Sequence, residues 1–108
     1  MADNFIERRY ELHDKLVEIL GSNNVYYQIP ENVKINYPCI YYKLNGLWNR
    51  RADDKSLYAK SAQYDVVVID EDPDSTIFLD LIKEFNHCSF KTHYVSGSLH
   101  HYALTLYY

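Results

Sequence analysis

The acids of the stretch "VVVIDEDPDS", residues 66–75, are the first candidates for chemistry. Three valines and an isoleucine run into Asp70, Glu71, Asp72 and Asp74. Clustered carboxylates can hold a hard cation. A calcium loop, however, needs oxygen ligands at alternating positions, a glycine at the sharp turn and a distal glutamate. The stretch has neither that glycine nor that glutamate. A helix start accounts for the same residues. Ile77, Phe78, Leu81, Ile82 and Phe85 recur at helical spacing. Asp72 is then the expected N-cap, Pro73 the first helical residue and Asp74 a first-turn acid favoured by the helix dipole. Asp70 and Glu71 finish the preceding strand at a solvated edge.

The five histidines and two cysteines invite a metal reading. Zinc sites are built from short paired spacings such as C-x2-C or H-x3-H. Here His87 adjoins Cys88, His93 follows later, and His100 adjoins His101, so no such pair exists. On a strand His100 and His101 point to opposite faces. His93 and one of the two face each other across a final hairpin, as a polar pair. The expectation is no metal and no cofactor. Nucleophilic chemistry fares no better. No serine stands in a G-x-S-x-G setting. Neither Cys39 nor Cys88 has a helix start with basic neighbours to activate it. The three glycines form no phosphate-cradling loop. The expectation is a protein that is not an enzyme and has no catalytic residue.

The 108 residues are expected to form one domain, 1–108. The net charge is −4, with acids and bases dispersed, where a general nucleic-acid binder carries a basic stripe. No direct sequence-specific contact with nucleic acid is expected. "MADNFIERRYELHDKL" has no apolar core of a secretion signal, and the apolar runs are too short for a bilayer. A reducing cytosol and free, mostly buried thiols are expected, with no membrane. Twelve tyrosines stand against four phenylalanines. Tyrosine packs with its ring and hydrogen-bonds with its hydroxyl, so it suits half-buried sheet faces and protein interfaces.

The periodicities order the elements. "DNFIERRYELHDKLVEILG" is an amphipathic helix with Phe5, Leu12, Leu16, Ile19 and Leu20 on one face, Tyr10 and Val17 at its flanks, Asn4 as its cap and Gly21 as its stop. Residues 25–29 read as a first strand, 39–48 as a second and "LYAKSAQYDVVVID" as a long third. The helix of residues 73–85 follows. Phe90, Thr92 and Tyr94 alternate, "SGS" turns the chain, and 99–108 alternates again, giving a second hairpin. The predicted fold is α+β in the order α-β-β-β-α-β-β: a mostly antiparallel sheet with two helices on one face and a long projecting hairpin.

The tip of that hairpin, "LWNRRADDKSLYAK", about residues 48–60, is the candidate interface. Arg50 and Arg51 can meet acids on a second copy, including Asp53 and Asp54, with Lys55 beside them. Trp48 at the base is an interface anchor or an ordinary core residue.

Three fragments in order, "PENVKINYPCIYYKL", "AQYDVVVIDEDPDS" and "NHCSFKTHYVSGSLHHYALTLYY", resemble the tail terminator (tail completion) proteins of long-tailed bacteriophages. The similarity runs over residues 25–108. It implies a small α+β domain with a projecting hairpin, acting as a structural protein of the virion. Such proteins assemble in the host cytoplasm as a hexameric ring on the head-proximal end of the tail tube. The ring ends tube polymerisation and offers a docking surface to the head connector. The implied partners are other copies of the chain, the tail tube protein and the connector or neck proteins. The resemblance carries no catalytic or cofactor residue. The alternative in the same structural class is a neck or head-completion adaptor. An alternative from another class is a small cytosolic ligand- or metal-binding α+β domain using His93, His100 and His101.

Overall fold

The computed structural model describes the backbone of residues 2–28, 34–51 and 57–108, and side chains at 5–28, 34–46 and 62–108. The chain runs α1 (Ala2–Leu20), β1 (Val25–Tyr27), β2 (Cys39–Arg51), β3 (Leu57–Asp70), α2 (Ile77–Glu84), β4 (Cys88–Ser96) and β5 (Leu99–Tyr107). The strands form one sheet in the order β1-β2-β3-β5-β4. Every neighbouring pair is antiparallel except β1 with β2. The α+β order expected from periodicity is the order observed. No described helix is long and apolar enough to cross a membrane.

Alternation along the central strands decides which face the helices cover. On β3, Ala62, Tyr64, Val66 and Val68 are buried, while Gln63, Asp65, Val67 and Ile69 between them are only half-buried. The buried set meets Ile40 and Tyr42 of β2 and Tyr102, Leu104 and Leu106 of β5. Leu12 and Leu16, one helical turn apart, bring α1 onto this surface, and Leu81 and Phe85 bring α2. Both helices therefore share one layer. Each fully buried leucine contributes on the order of 2 kcal/mol of apolar transfer.

The middle of this layer is aromatic. Tyr42 is fully buried, with ring centroids 4.9 Å from Tyr27 and 5.7 Å from Tyr64. Its hydroxyl donates to His13 Nδ1 at 2.7 Å and accepts from Arg9 Nη1 at 3.3 Å. A polar atom is thus satisfied inside the core by two residues on the same side of α1. Burial, and secondarily Arg9, lower the His13 pKa, while Asp14 pulls it upward. The neutral ring is the form that can accept from Tyr42.

Several boundaries differ from expectation. Helix α1 already runs from Ala2, so Asn4 lies inside it instead of capping it. Tyr10 is exposed, not a flank of the apolar face. Strand β1 stops at Tyr27 because Gln28 takes φ +48, outside the extended region. Gly21 does end α1, at φ +82, its N–H donating to Val17 O at 2.9 Å.

Helix α2 begins at Ile77, not Pro73, with Thr76 at the N-cap. The acids are used differently. The Asp72 N–H donates to Asp70 Oδ1 at 3.1 Å, and the Asp74 N–H to Asp72 Oδ1 at 2.9 Å. These are successive turns in which an aspartate side chain binds the backbone two residues on. That local bonding competes with helix initiation and holds the chain in a loop. The first-turn acid is Asp80.

Candidate interaction surfaces

The long hairpin is positioned by the register of β2 and β3. Trp48 pairs with Ser61, Arg50 with Tyr58 and Arg51 with Leu57. The second strand therefore extends through Arg51, three residues past the expected end at Trp48. Strand β5 accompanies β3 only from Gln63 onward, with Tyr108 exchanging backbone bonds with Ala62 at 2.9 Å. Residues 48–51 and 57–61 thus pair only with each other among the described strands. Five residues of strand reach about 17 Å. The backbones of Trp48, Arg50 and Arg51 belong to this two-stranded arm, and their side chains lie outside the described residues. Asp53, Asp54 and Lys55 fall in 52–56, also outside the described residues. Register shifts at Leu44/Gly46 and Trp48/Asn49 interrupt the arm's base. Such bulges bend and twist a strand pair.

No described helix packs on the second sheet face. Tyr26 and Tyr41 pair across β1 and β2, with Val67, Ile69, Ala103 and Tyr94 on the same side of their strands. Lys43 and Asp65 stand opposite one another in this face, and Asn45 Nδ2 donates to Asp65 Oδ1 at 3.2 Å. Apolar ground crossed by one charge pair is the composition of a wet contact surface. At the sheet's far edge, β4 is exposed from Ser89 to Ser96, and Phe90, Tyr94 and Val95 are exposed large side chains on it. No described strand pairs with its outer side. An open edge of this length can accept another strand.

The titratable residues complete the inventory. Both cysteines are free. Burial pushes each thiol up to about 11; at Cys39 Asp70 adds to this and a bond from the Ile69 backbone opposes it. Such thiols stay protonated and poorly nucleophilic. His100, not His101, is the cross-strand partner of His93, with Nε2 of His93 3.2 Å from Nδ1 of His100. His101 is on the other face, stacked on Tyr94 with centroids 4.7 Å apart. Among the described residues no three His, Cys, Asp or Glu gather to hold a metal. An open cleft of 390 Å³ lies beside Lys15, Phe85, His87 and Tyr108. Lys15 Nζ sits 5.1 Å over the Tyr108 ring, and Tyr108 raises the Lys15 pKa.

Periodicity missed one feature of β4. A register shift between Phe90 and Thr92 inserts a residue, so Phe90 and His93 share the helix-covered face while Thr92 and Tyr94 share the other. Phe90, Thr92 and Tyr94 do not simply alternate. No protein-family model, curated protein or solved structure matches the chain.

Proposed function

We propose that the chain is a non-enzymatic structural protein of a long-tailed bacteriophage: a tail terminator. Copies form a ring, a hexamer, on the head-proximal end of the tail tube, ending its growth and offering the head connector a seat. The reading rests on the resemblance of residues 25–108 to that family. The observation that carries it physically is the two-stranded arm, residues 48–51 paired with 57–61 beyond the rest of the sheet.

A ring closes through heterologous contacts, in which one surface of a subunit meets a different surface of the next. The sheet order supports this. The arm continues β2 and the central strand β3 past the rest of the sheet, and the open edge is β4. One subunit therefore carries two unlike surfaces. The half-buried face bearing Tyr26 and Tyr41 supplies a third, for tube or connector. Assembly takes place in the host cytoplasm, and the product resides in the virion. The fold alone does not select among neck components, so the assay must.

Charge reversal on the arm tests the ring contact, and the morphology of particles made without the protein tests the choice between terminator and neck component. A phage carrying Arg50→Glu with Arg51→Glu is expected to lose rings and infectivity while the protein stays folded. Normal rings and normal infectivity from that variant would remove the arm from the interface.

A further inference from the structure

We propose that the open edge of β4 receives strand β1 of a second copy of the chain, antiparallel, so that one sheet continues from copy to copy. The two outer strands of the sheet are β1 and β4. Strand β1 runs with β2, and β2, β3, β5 and β4 alternate in direction. Hence β1 and β4 run in opposite senses. A neighbour in the same orientation brings its β4 antiparallel to β1, with the helices of both copies on the same side of the joined sheet.

The outward backbone groups match as well. Ile40 N–H donates to Asn24 O and Gln28 N–H to Tyr42 O, each at 3.0 Å. In a parallel ladder alternate residues bond to one side, so Tyr26 bonds toward β2 while Val25 and Tyr27 turn their N–H and C=O outward. On β4 the two-residue loop of 97 and 98 is closed by a bonded pair, Ser96 with Leu99. Tyr94 then bonds to His101, and His93 and Val95 turn their backbone groups outward. At both edges the outward groups belong to residues two apart with side chains on the helix-covered face. Val25 and Tyr27 pair with buried Ile40 and Tyr42, and His93 with buried Tyr102. One register satisfies strand sense, face and bonding together: Val25 opposite Val95, Tyr26 opposite Tyr94 and Tyr27 opposite His93. It joins two valines on the covered face and two tyrosines on the other.

Neither edge carries the usual guard of charge. Residues 25–27 and 92–96 contain no Lys, Arg, Asp or Glu. Charge returns at Lys91, where the register shift bends β4 and ends the receptive run. Over that run β4 is open, with Tyr94 48% and Val95 52% exposed. Val25 is only 5% exposed, and outside the ladder no described residue bonds its N–H or C=O. Backbone groups so placed gain more from a strand than from water. Three residue pairs make a small contact, which forms where copies are concentrated. The contact is heterologous, as a ring requires. It does not rest on the tail reading, since it follows from strand sense and register alone.

The test is disulfide trapping between two full-length variants, Tyr26→Cys and Tyr94→Cys, mixed at millimolar concentration under oxidation, with the links read by peptide mass. In the proposed register the two positions form a non-hydrogen-bonded pair with Cα atoms about 4.5 Å apart, within reach of a disulfide. A dimer linked from position 26 to position 94 is expected, at least tenfold above the dimer from either variant alone. Adding Val95→Pro to the Tyr94→Cys chain removes one outward N–H and spares the β4–β5 bonds. It should cut the 26–94 link at least tenfold and leave the circular dichroism spectrum unchanged. Absence of the 26–94 link would overturn the proposal, as would a yield unmoved by Val95→Pro. A Tyr94→Cys chain that links mainly to itself would also overturn it, giving the edge to a two-fold pairing of β4. The assay uses pure protein, so its failure leaves the terminator reading standing, and normal tails from an interrupted gene would leave the strand contact standing.

Discussion

Replacing Tyr42 by phenylalanine removes one oxygen from the middle of the core and leaves its ring contacts with Tyr27 and Tyr64 in place. That oxygen makes the 2.7 Å bond to His13 and the 3.3 Å bond from Arg9. A neutral hydrogen bond contributes about 1 kcal/mol net, and one to a charged group about 1.5–3 kcal/mol when well formed. The Arg9 bond is long, so the low end applies. Together the loss is about 2.5 kcal/mol. Unfolding entropy near 2.1 cal/mol/K per residue makes this a drop of roughly 11 °C in melting temperature for a chain of this size. Circular dichroism melts at pH 8 measure it. The loss also has a pH signature. The folded-state pKa of His13 lies below its ordinary value of 6.5. The unfolded chain therefore takes up the proton first, and stability is full above pH 6.5 and lost as pH falls toward the folded value. Protonated His13 cannot accept from Tyr42. The gap between parent and Tyr42→Phe should thus narrow as pH falls from 8 through the folded-state value of His13, below 6.5. A gap under about 2 °C at pH 8 would refute the energetic reasoning. A gap constant across that range would refute the assignment of the proton.

Leu81 is the buried residue of α2, and Leu81→Ala should cost about 2–5 kcal/mol in a denaturant titration. Cys39 and Cys88, each raised from 9.0 to about 11, should react with a disulfide reagent at pH 8 about 100-fold more slowly than in the unfolded chain, the ratio of thiolate populations. Gly97 takes φ +62 in the turn joining Ser96 to Leu99, so Gly97→Val should lose roughly 1–2 kcal/mol by the same titration.

Wherever a single period governed a segment, that segment could be read directly from the residues. The buried alternation from Ala62 to Val68 and the helical pair Leu12 and Leu16 defined the sheet face, the helix face and their meeting. The element order followed. What escaped depended on competition or on register. Asp70 and Asp72 bind backbone amides two residues on, outside any helix, and α2 starts only at Ile77. One inserted residue near Lys91 exchanges the two faces of β4, which composition does not announce. The choice of His100 over His101 as the partner of His93 follows from that pairing register. The arm could be read as a long hairpin with charges of both signs at its tip. Its continuation to Arg51, across two register shifts, came from strand pairing.

Electron microscopy of phage particles made with this gene interrupted tests the central claim most directly. Overlong, headless tails beside DNA-filled heads are predicted, because the tube has lost the ring that stops it. Tails of normal length that fail to join heads, or heads that leak their DNA, would contradict the terminator reading and move the protein to the neck.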